Sequence, residues 1–376
     1  MRIVIATDSF GQTLTAAEAS AAITAGLQRR LGEISTKVEV IALPMSDGGP
    51  GFIESLRAGL AETSARTIDV VTTGPHGEQV RGQVLIASGG AAYVESAQAA
   101  GLEATERREP LWASSYGVGA LLLAAVEAGA HTITVGLGGS ATNDGGAGLL
   151  AAIGVVAFDE DGVALQPGAL PLLGVDHLSG TPALRTASIV AATDVDNPLT
   201  GPEGASAVFG PQKGASPQDV RVLDAALSRW GEVLQRDRPA PAGLANLPGA
   251  GAAGGMGAAL YALRARRRSG FEVVAEALGL ADAVASADLV ITGEGSFDEQ
   301  SVRGKVTGSV ADLARSAGRP CVVLAGRSSL GRRQASAYGV DETYALVDAV
   351  GEQRAMEAAD VVLQDVAYRT ARHWVR

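Results

Sequence analysis

Cysteine is nearly missing from this chain. With only Cys321 in 376 residues, an intrachain disulfide is excluded and a reducing compartment is expected. Cys321 lies in the apolar run Pro320-Cys321-Val322-Val323-Leu324, where a thiol acts as a small apolar group and not as a nucleophile. Aromatic residues are also scarce, 4% against 47% apolar, so the core must be filled by Ala, Val, Leu and Ile, as in alternating strand–helix layers. Positive charge is in deficit. A net charge of −11 argues against nucleic acid and anionic membrane as partners. No apolar run is long enough to cross a bilayer. Met1 to Ala6 reads as a first strand and not as a signal peptide, so a cytoplasmic protein is expected. The four histidines show no ligand spacing, and neither a G-x-x-x-x-G-K-[ST] loop nor a protein-kinase signature set occurs.

Glycine, by contrast, is abundant, and its densest stretch is Gly136-Leu137-Gly138-Gly139-Ser140-Ala141-Thr142-Asn143-Asp144-Gly145-Gly146-Ala147-Gly148. It follows the strand-like run Thr132 to Val135 and precedes the apolar part of a helix, Leu149 to Ile153. Free amides at a helix N-terminus attract anions, and glycines let backbone approach one closely. One reading is therefore a phosphate cradle, with Ser140, Thr142 and Asn143 as added donors and Asp144 as a carboxylate for a metal or a hydroxyl. The other reading is close packing of strand on helix. The stretch also contains G-x-G-x-x-A (Gly136, Gly138, Ala141), with Asp159 some twenty residues on, which resembles a dinucleotide fingerprint. Thr142 to Gly146 interrupts the place where that fingerprint's helix should already run.

Along the chain the expectation is α/β. Thr15-Ala16-Ala17-Glu18 is a capping box opening a helix to about Leu31, and Val38 to Ala42 is a second strand. Asp8 and Asp47 stand just past probable parallel strands, at the edge where doubly wound sheets bind ligands; each could equally cap a helix or shape a turn. Arg66 to Val94 reads as short strands with turns, one of them holding His76, expected to be solvated. Ala187 to Ala192 is a strand that ends at Asp194. Lys213, between glycines, is either a point charge near phosphate or a solvated turn residue. Pro217 to Gln235 is an amphipathic helix, and Arg264 to Arg268 reads as a water-facing helix C-terminus. Strand Asp288 to Thr292 then meets the loop Gly293-Glu294-Gly295-Ser296-Phe297-Asp298. A helix from about Lys305, a strand Cys321 to Ala325, a strand Thr343 to Val347 and a terminal helix complete the chain.

Taken in order, Gly136 to Gly148 (GLGGSATNDGGAG), Asp194 to Leu199 (DVDNPL), Phe209 to Ala215 (FGPQKGA), Pro248 to Gly257 (PGAGAAGGMG) and Ile291 to Gly295 (ITGEG) resemble the bacterial glycerate kinase family. The resemblance covers nearly the whole chain. It implies two α/β domains with parallel or mixed sheets: a discontinuous Rossmann-like domain of residues 1–75 plus 286–376, and an inserted domain of residues 76–285 carrying the Gly-rich loops. It also implies a substrate cleft between them, and ATP-dependent phosphorylation of D-glycerate at the 2-hydroxyl with Mg2+. Phosphoryl transfer needs a metal, donors around the moving group and a base. The expected roles are then Gly138, Gly139, Ser140, Asn143 and Lys213 on the nucleotide phosphates. Asp194 is the first choice of base, with Asp47 and Asp298 beside it as catalytic residues. Asp8 and Asp47 are assigned to the metal. Asp8, Ser9, Arg303, Lys305 and Arg327 are assigned to the substrate.

Three departures touch these loops. Gly11 stands where the family usually has lysine, Pro50 where it has glutamate, and Ser296 where it has arginine. Two lost cations leave a carboxylate substrate with fewer charged donors, which Arg327, Arg303 or Lys305 can supply. A different small hydroxy acid is the alternative substrate; a dinucleotide-dependent oxidoreductase and a non-catalytic metabolite-binding protein are the other readings. A monomer or a homodimer is expected.

Overall fold

The computed structural model describes residues 1–35, 37–60, 65–301 and 305–375. The chain divides into two compact units, one of Met1–Asp47, Glu54–Glu62 and Phe271–Arg376, the other of Gly48–Ile53 and Thr63–Gly270.

The first unit is built on five strands: β1 (Arg2–Thr7), β2 (Glu39–Ala42), β11 (Leu289–Phe297), β12 (Cys321–Ser328) and β13 (Glu342–Ala345). Their order is β13-β12-β11-β1-β2, and every pairing is parallel. The middle strands are continuous apolar runs, Ile3 to Ala6, Leu289 to Ile291 and Val322 to Ala325, all buried, as parallel strands covered on both faces require. Helix Ala16–Leu31 starts where expected, with both bonds of the Thr15/Glu18 capping box made. It packs on the terminal helix Ala359–Trp374 so closely that a Cβ at Gly26 would lie 2.2 Å from the Gln364 carbonyl oxygen.

Two boundaries differ from the sequence reading. Strand β11 does not stop at Thr292. It runs on through Gly293 and Gly295, keeping register with β12 as far as Phe297 opposite Ser328. The glycines permit this, because a Cβ at Gly293 would meet the Leu324 carbonyl oxygen at 2.1 Å. At the sheet edge, β13 ends at Ala345, and a short helix, Leu346–Val350, begins where strand was expected.

The second unit carries six strands in the order β10-β9-β6-β5-β4-β3: β3 (Arg66–Thr73), β4 (Gln79–Ile86), β5 (Ala91–Glu95), β6 (Thr132–Gly136), β9 (Ser188–Ala192) and β10 (Arg266–Arg268). Strands β5, β6, β9 and β10 are parallel, while β3/β4 and β4/β5 are antiparallel. A separate antiparallel ribbon joins β7 (Val155–Phe158) to β8 (His177–Gly180). The arginine run is thus an edge strand and not a helix end. Helix Ala252–Ala262 stops, Arg264 takes a positive φ of 63°, and the turned chain fills the open edge beside β9. Arg267 then reaches Asp196 at 2.6 Å. Low aromatic content shows in this unit's core, which is alanine, valine, leucine and isoleucine with Met256 around a fully buried tryptophan, Trp230.

Candidate functional site

At the C-terminal edge of the first unit's sheet the chain turns out of β1 into Asp8, whose amide donates to the Gly293 carbonyl at 2.9 Å. After β2 the backbone continues beside β1, with Leu43 N on Ile5 O and Met45 N on Thr7 O, and this carries Asp47 to the same edge. A cavity of about 500 Å³ opens there, lined by the carboxylates Asp8, Asp47, Glu294, Asp298 and Glu352 and by Ser9. Its cations are Lys305 and Arg327. Six of the residues expected from sequence are therefore neighbours in one cavity. Arg303 lies outside the described residues.

The electrostatics of this edge are strained by like charge. Burial first, and then the Asp47 carboxylate, push Asp8 up to about 7, although its Oδ1 accepts the Ser9 amide at 2.7 Å. Glu294 is only 8% exposed, and its Oε1 has no hydrogen-bond partner among the described residues. Burial raises its carboxyl as well. Asp298 is more settled: its Oδ1 accepts the Gln300 amide at 2.8 Å and the Ser301 amide at 3.3 Å. Arg327 stands directly opposite Ser296 across β11/β12, and its Nε donates to the Ser296 hydroxyl at 3.3 Å.

In the second unit the glycine-rich stretch does leave a strand and enter a helix, Ala147–Ala152, but the helix start is already filled by the chain's own carboxylate. Asp144 accepts the Gly146 and Gly148 amides at 3.1 Å each, and the Ser115 amide and hydroxyl at 2.8 Å each. Burial raises its carboxyl, against the pull of those four bonds. The dipole that was to meet a phosphate meets Asp144.

The glycines here are used for close packing. A Cβ would lie 2.5 Å from Gly48 O at Gly136, 2.5 Å from Gly49 Cα at Gly138, and 2.3 Å from Trp230 at Gly145. Trp230 Nε1 donates to the Gly145 carbonyl at 2.8 Å. Of the expected phosphate-facing residues, Gly138 and Gly139 reach the surface, while Ser140 and Asn143 are buried. The Asn143 amide donates to the Ser206 hydroxyl at 2.9 Å.

Lys213 is not the solvated turn residue that was one of its two sequence readings. It is 2% exposed, and its Nζ donates to the Ser140 hydroxyl at 2.9 Å and the Thr142 carbonyl at 2.6 Å. Burial brings its ammonium down to about 7. The ammonium is a post beneath the loop. Asp194, past the end of β9, belongs to this unit, and its Oδ1 accepts the Gly270 amide at 3.2 Å.

Sequence reasoning assigned no role to Glu294, although it sits inside the ITGEG segment. The signal was its position among glycines at a strand's carboxyl end. It also missed Glu95, at the end of β5, whose two oxygens accept the Gly51 and Ile53 amides at 3.2 and 3.1 Å. The dinucleotide reading is overturned by topology. Asp159 follows β7, which pairs with β8 alone and never joins β6 in one sheet, so no βαβ unit spans the fingerprint.

A family model, described as the glycerate kinase family, matches residues 3–375. The chain belongs to the glycerate kinase family. It is 40% identical over 358 residues to a glycerate 2-kinase of Escherichia coli (strain K12), covering 93% of this chain and 92% of that one. It is 40% identical over 380 residues to a glycerate kinase of Bacillus subtilis (strain 168), covering 99% and 96%. A crystal structure of a Salmonella typhimurium LT2 protein assigned as a glycerate kinase 2 superposes with a TM-score of 0.82 at 38% identity, covering 99% of this chain and 98% of that one.

In this member of the glycerate kinase family, two of the three positions expected from the sequence to depart from the family's loops, Gly11 and Ser296, line the 500 Å³ cavity. The third, Pro50, faces the glycine-rich stretch, its Cγ 2.6 Å from where a Cβ on Gly139 would stand. The donor set suits a hard cation. Crowded carboxylates with a raised Asp8 and an unpartnered Glu294 oxygen are relieved by positive charge. Magnesium takes one or two carboxylates together with phosphate oxygens and waters. Among the described residues no group of three His, Cys, Asp or Glu side chains is placed to hold a metal ion. No described helix is long and apolar enough to cross a membrane.

Proposed function

We propose that this enzyme transfers the terminal phosphoryl group of ATP to the 2-hydroxyl of D-glycerate, giving 2-phosphoglycerate and ADP. Family membership supports a kinase acting on glycerate. The observation that carries the residue-level reading is the single cavity holding Asp8, Asp47 and Asp298 together with Lys305 and Arg327. A small hydroxy acid needs charge-assisted donors for its carboxylate, and Arg327 and Lys305 are proposed for that. Asp8 and Asp47 would hold magnesium, with Asp298 orienting the substrate. The metal, when bound, neutralises charge on the transferring phosphoryl group. Asp194 is proposed as the base that accepts the hydroxyl proton. Gly138 and Gly139 are the proposed nucleotide contacts of the glycine-rich stretch, while Ser140, Asn143 and Lys213 act from beneath it.

A second substrate reading has its own support. Gly11 and Ser296 line the cavity at positions where the resemblance implies two cations, and Arg327, paired to Ser296, returns one from the neighbouring strand. A hydroxy acid of different length is therefore the alternative acceptor.

ADP release measured over a panel of hydroxy acids separates the two readings. Coupling the glycerate reaction directly to enolase, without a mutase, reads out 2-phosphoglycerate alone. No ADP release with any acid would refute the kinase reading, and ADP release with no enolase signal would refute the 2-hydroxyl.

A further inference from the structure

Aromatic rings are rare on this surface. Among the described residues only Trp112, Tyr116 and Tyr338 are exposed aromatics, and two of the three line one cavity of about 360 Å³ in the second unit. Trp112 is 49% and Tyr116 45% exposed, and His76, Arg107 and Ser114 complete the polar wall. The His76 ring nitrogen Nε2 is buried with no hydrogen-bond partner among the described residues. Burial first, then the neighbouring Arg107 charge, lower its imidazole, which favours the neutral ring, whose free nitrogen meets a donor or an acceptor according to tautomer. Among the described residues the Arg107 guanidinium is paired with Glu109 in an exposed ion pair, which costs little to exchange for another anion.

The cavity's place in the fold is that of a ligand site. Strand β3 is antiparallel to β4, and β4 to β5, so β3 runs in the direction of β5 and β6. Its end at Thr73, which lines the cavity, comes to the same carboxyl edge as Gly136. That is the edge where open α/β sheets bind ligands. The wall is also tied to the glycine-rich stretch. Ser114 N donates to Pro75 O at 2.8 Å, and the adjoining Ser115 holds Asp144 through its amide and hydroxyl.

We propose that this cavity receives the base and ribose of the nucleotide, with the base stacked on Trp112 and Tyr116, its edge on His76, and the anionic tail near Arg107. The proposal rests on the ATP-dependent reading above. Stacking on an aromatic face together with an arginine suits a nucleobase bearing phosphate, and about 360 Å³ is within the lower range of small-ligand cavities.

The test titrates the full chain with ADP, and with inorganic phosphate as comparator, by calorimetry and tryptophan fluorescence. Trp112→Ala and Tyr116→Ala change exposed side chains, so folding is not at stake. His76→Ala is checked for an unchanged unfolding midpoint. ADP should alter the fluorescence of the natural chain but not of W112A, and each variant should weaken ADP about tenfold. Phosphate should produce no fluorescence change, and the KM for the hydroxy acid should stay unchanged. ADP affinity unaltered in both W112A and H76A overturns the proposal, even if the enzyme is an active ATP-dependent kinase. A fluorescence change with phosphate alone also overturns it. Absence of phosphoryl transfer while ADP still binds through Trp112 would sink the function and leave this site standing.

Discussion

Replacing Asp8 by asparagine should make the protein more stable at neutral pH while disabling it. Asp8 is buried against Asp47 and Glu294, and its carboxyl is raised to about 7. A raised acid binds its proton more tightly in the folded than in the unfolded chain. Its contribution is therefore fully favourable below about pH 4 and is lost as pH climbs through about 7. The gap from an ordinary aspartate, at ~1.36 kcal/mol per pKa unit, bounds the penalty above pH 7 at about 4 kcal/mol. Asparagine keeps an oxygen for the Ser9 amide, which now sits 2.7 Å from Oδ1, and removes the charge. Urea unfolding in EDTA, at half-unit steps from pH 4 to 8, should show the natural chain losing stability relative to Asp8→Asn. By pH 8 the variant should be ahead by on the order of 2–4 kcal/mol. Magnesium should narrow that gap by stabilising the natural chain through mass action. A variant no more stable than the natural chain at pH 8, or a difference flat with pH, would refute the charge-crowding account of this cavity. Such a trade of stability for a functional cluster is common at active sites.

Other consequences follow from single contacts. Lys213→Met should abolish a rise in stability between about pH 7 and 10, because a depressed lysine is penalised below its folded value and relieved above its unfolded one; paired urea midpoints at pH 7 and 9 measure this. Asp144→Ala should destabilise by about 3 kcal/mol or more, since it strands the buried Gly146, Gly148 and Ser115 donors, and thermal unfolding reads it directly. Asp194→Asn should cut kcat by roughly 10² or more without moving the unfolding midpoint, as loss of a positioned base does; near-normal turnover would move the base elsewhere. Glu294→Gln should lower kcat and raise the magnesium concentration needed for half-maximal rate, whereas a purely structural Glu294 would change the melting temperature and leave that metal dependence alone.

What was legible in the sequence was whatever local chemistry decides. The Thr15/Glu18 box set a helix start because both its bonds are made within four residues. The apolar runs of β1, β11 and β12 declared buried parallel strands by composition alone. The candidate site was legible in part. Asp8, Asp47 and Asp298 could be gathered from strand ends, since parallel strands deliver their carboxyl ends to one edge; Lys305 and Arg327 came instead from the need for cations to replace those expected at Gly11 and Ser296.

What sequence could not supply was which groups of a polar loop face inward. Ser140, Asn143, Asp144 and Lys213 look like ligand donors on the page, yet each bonds inside the protein to a partner distant in the chain, Lys213, Ser206, Ser115 and Thr142 among them, and only the Asn143 Oδ1 of that set is left without a partner among the described residues. A glycine-dense turn needs those internal bonds because it has few side chains with which to hold its own shape. The same shortage makes the loop thin, so that its glycines touch Gly48, Gly49 and Trp230 at backbone distance. The polar residues of such a loop are therefore read first as its scaffold, and Gly138 and Gly139, which carry no side-chain chemistry at all, are what it leaves at the surface.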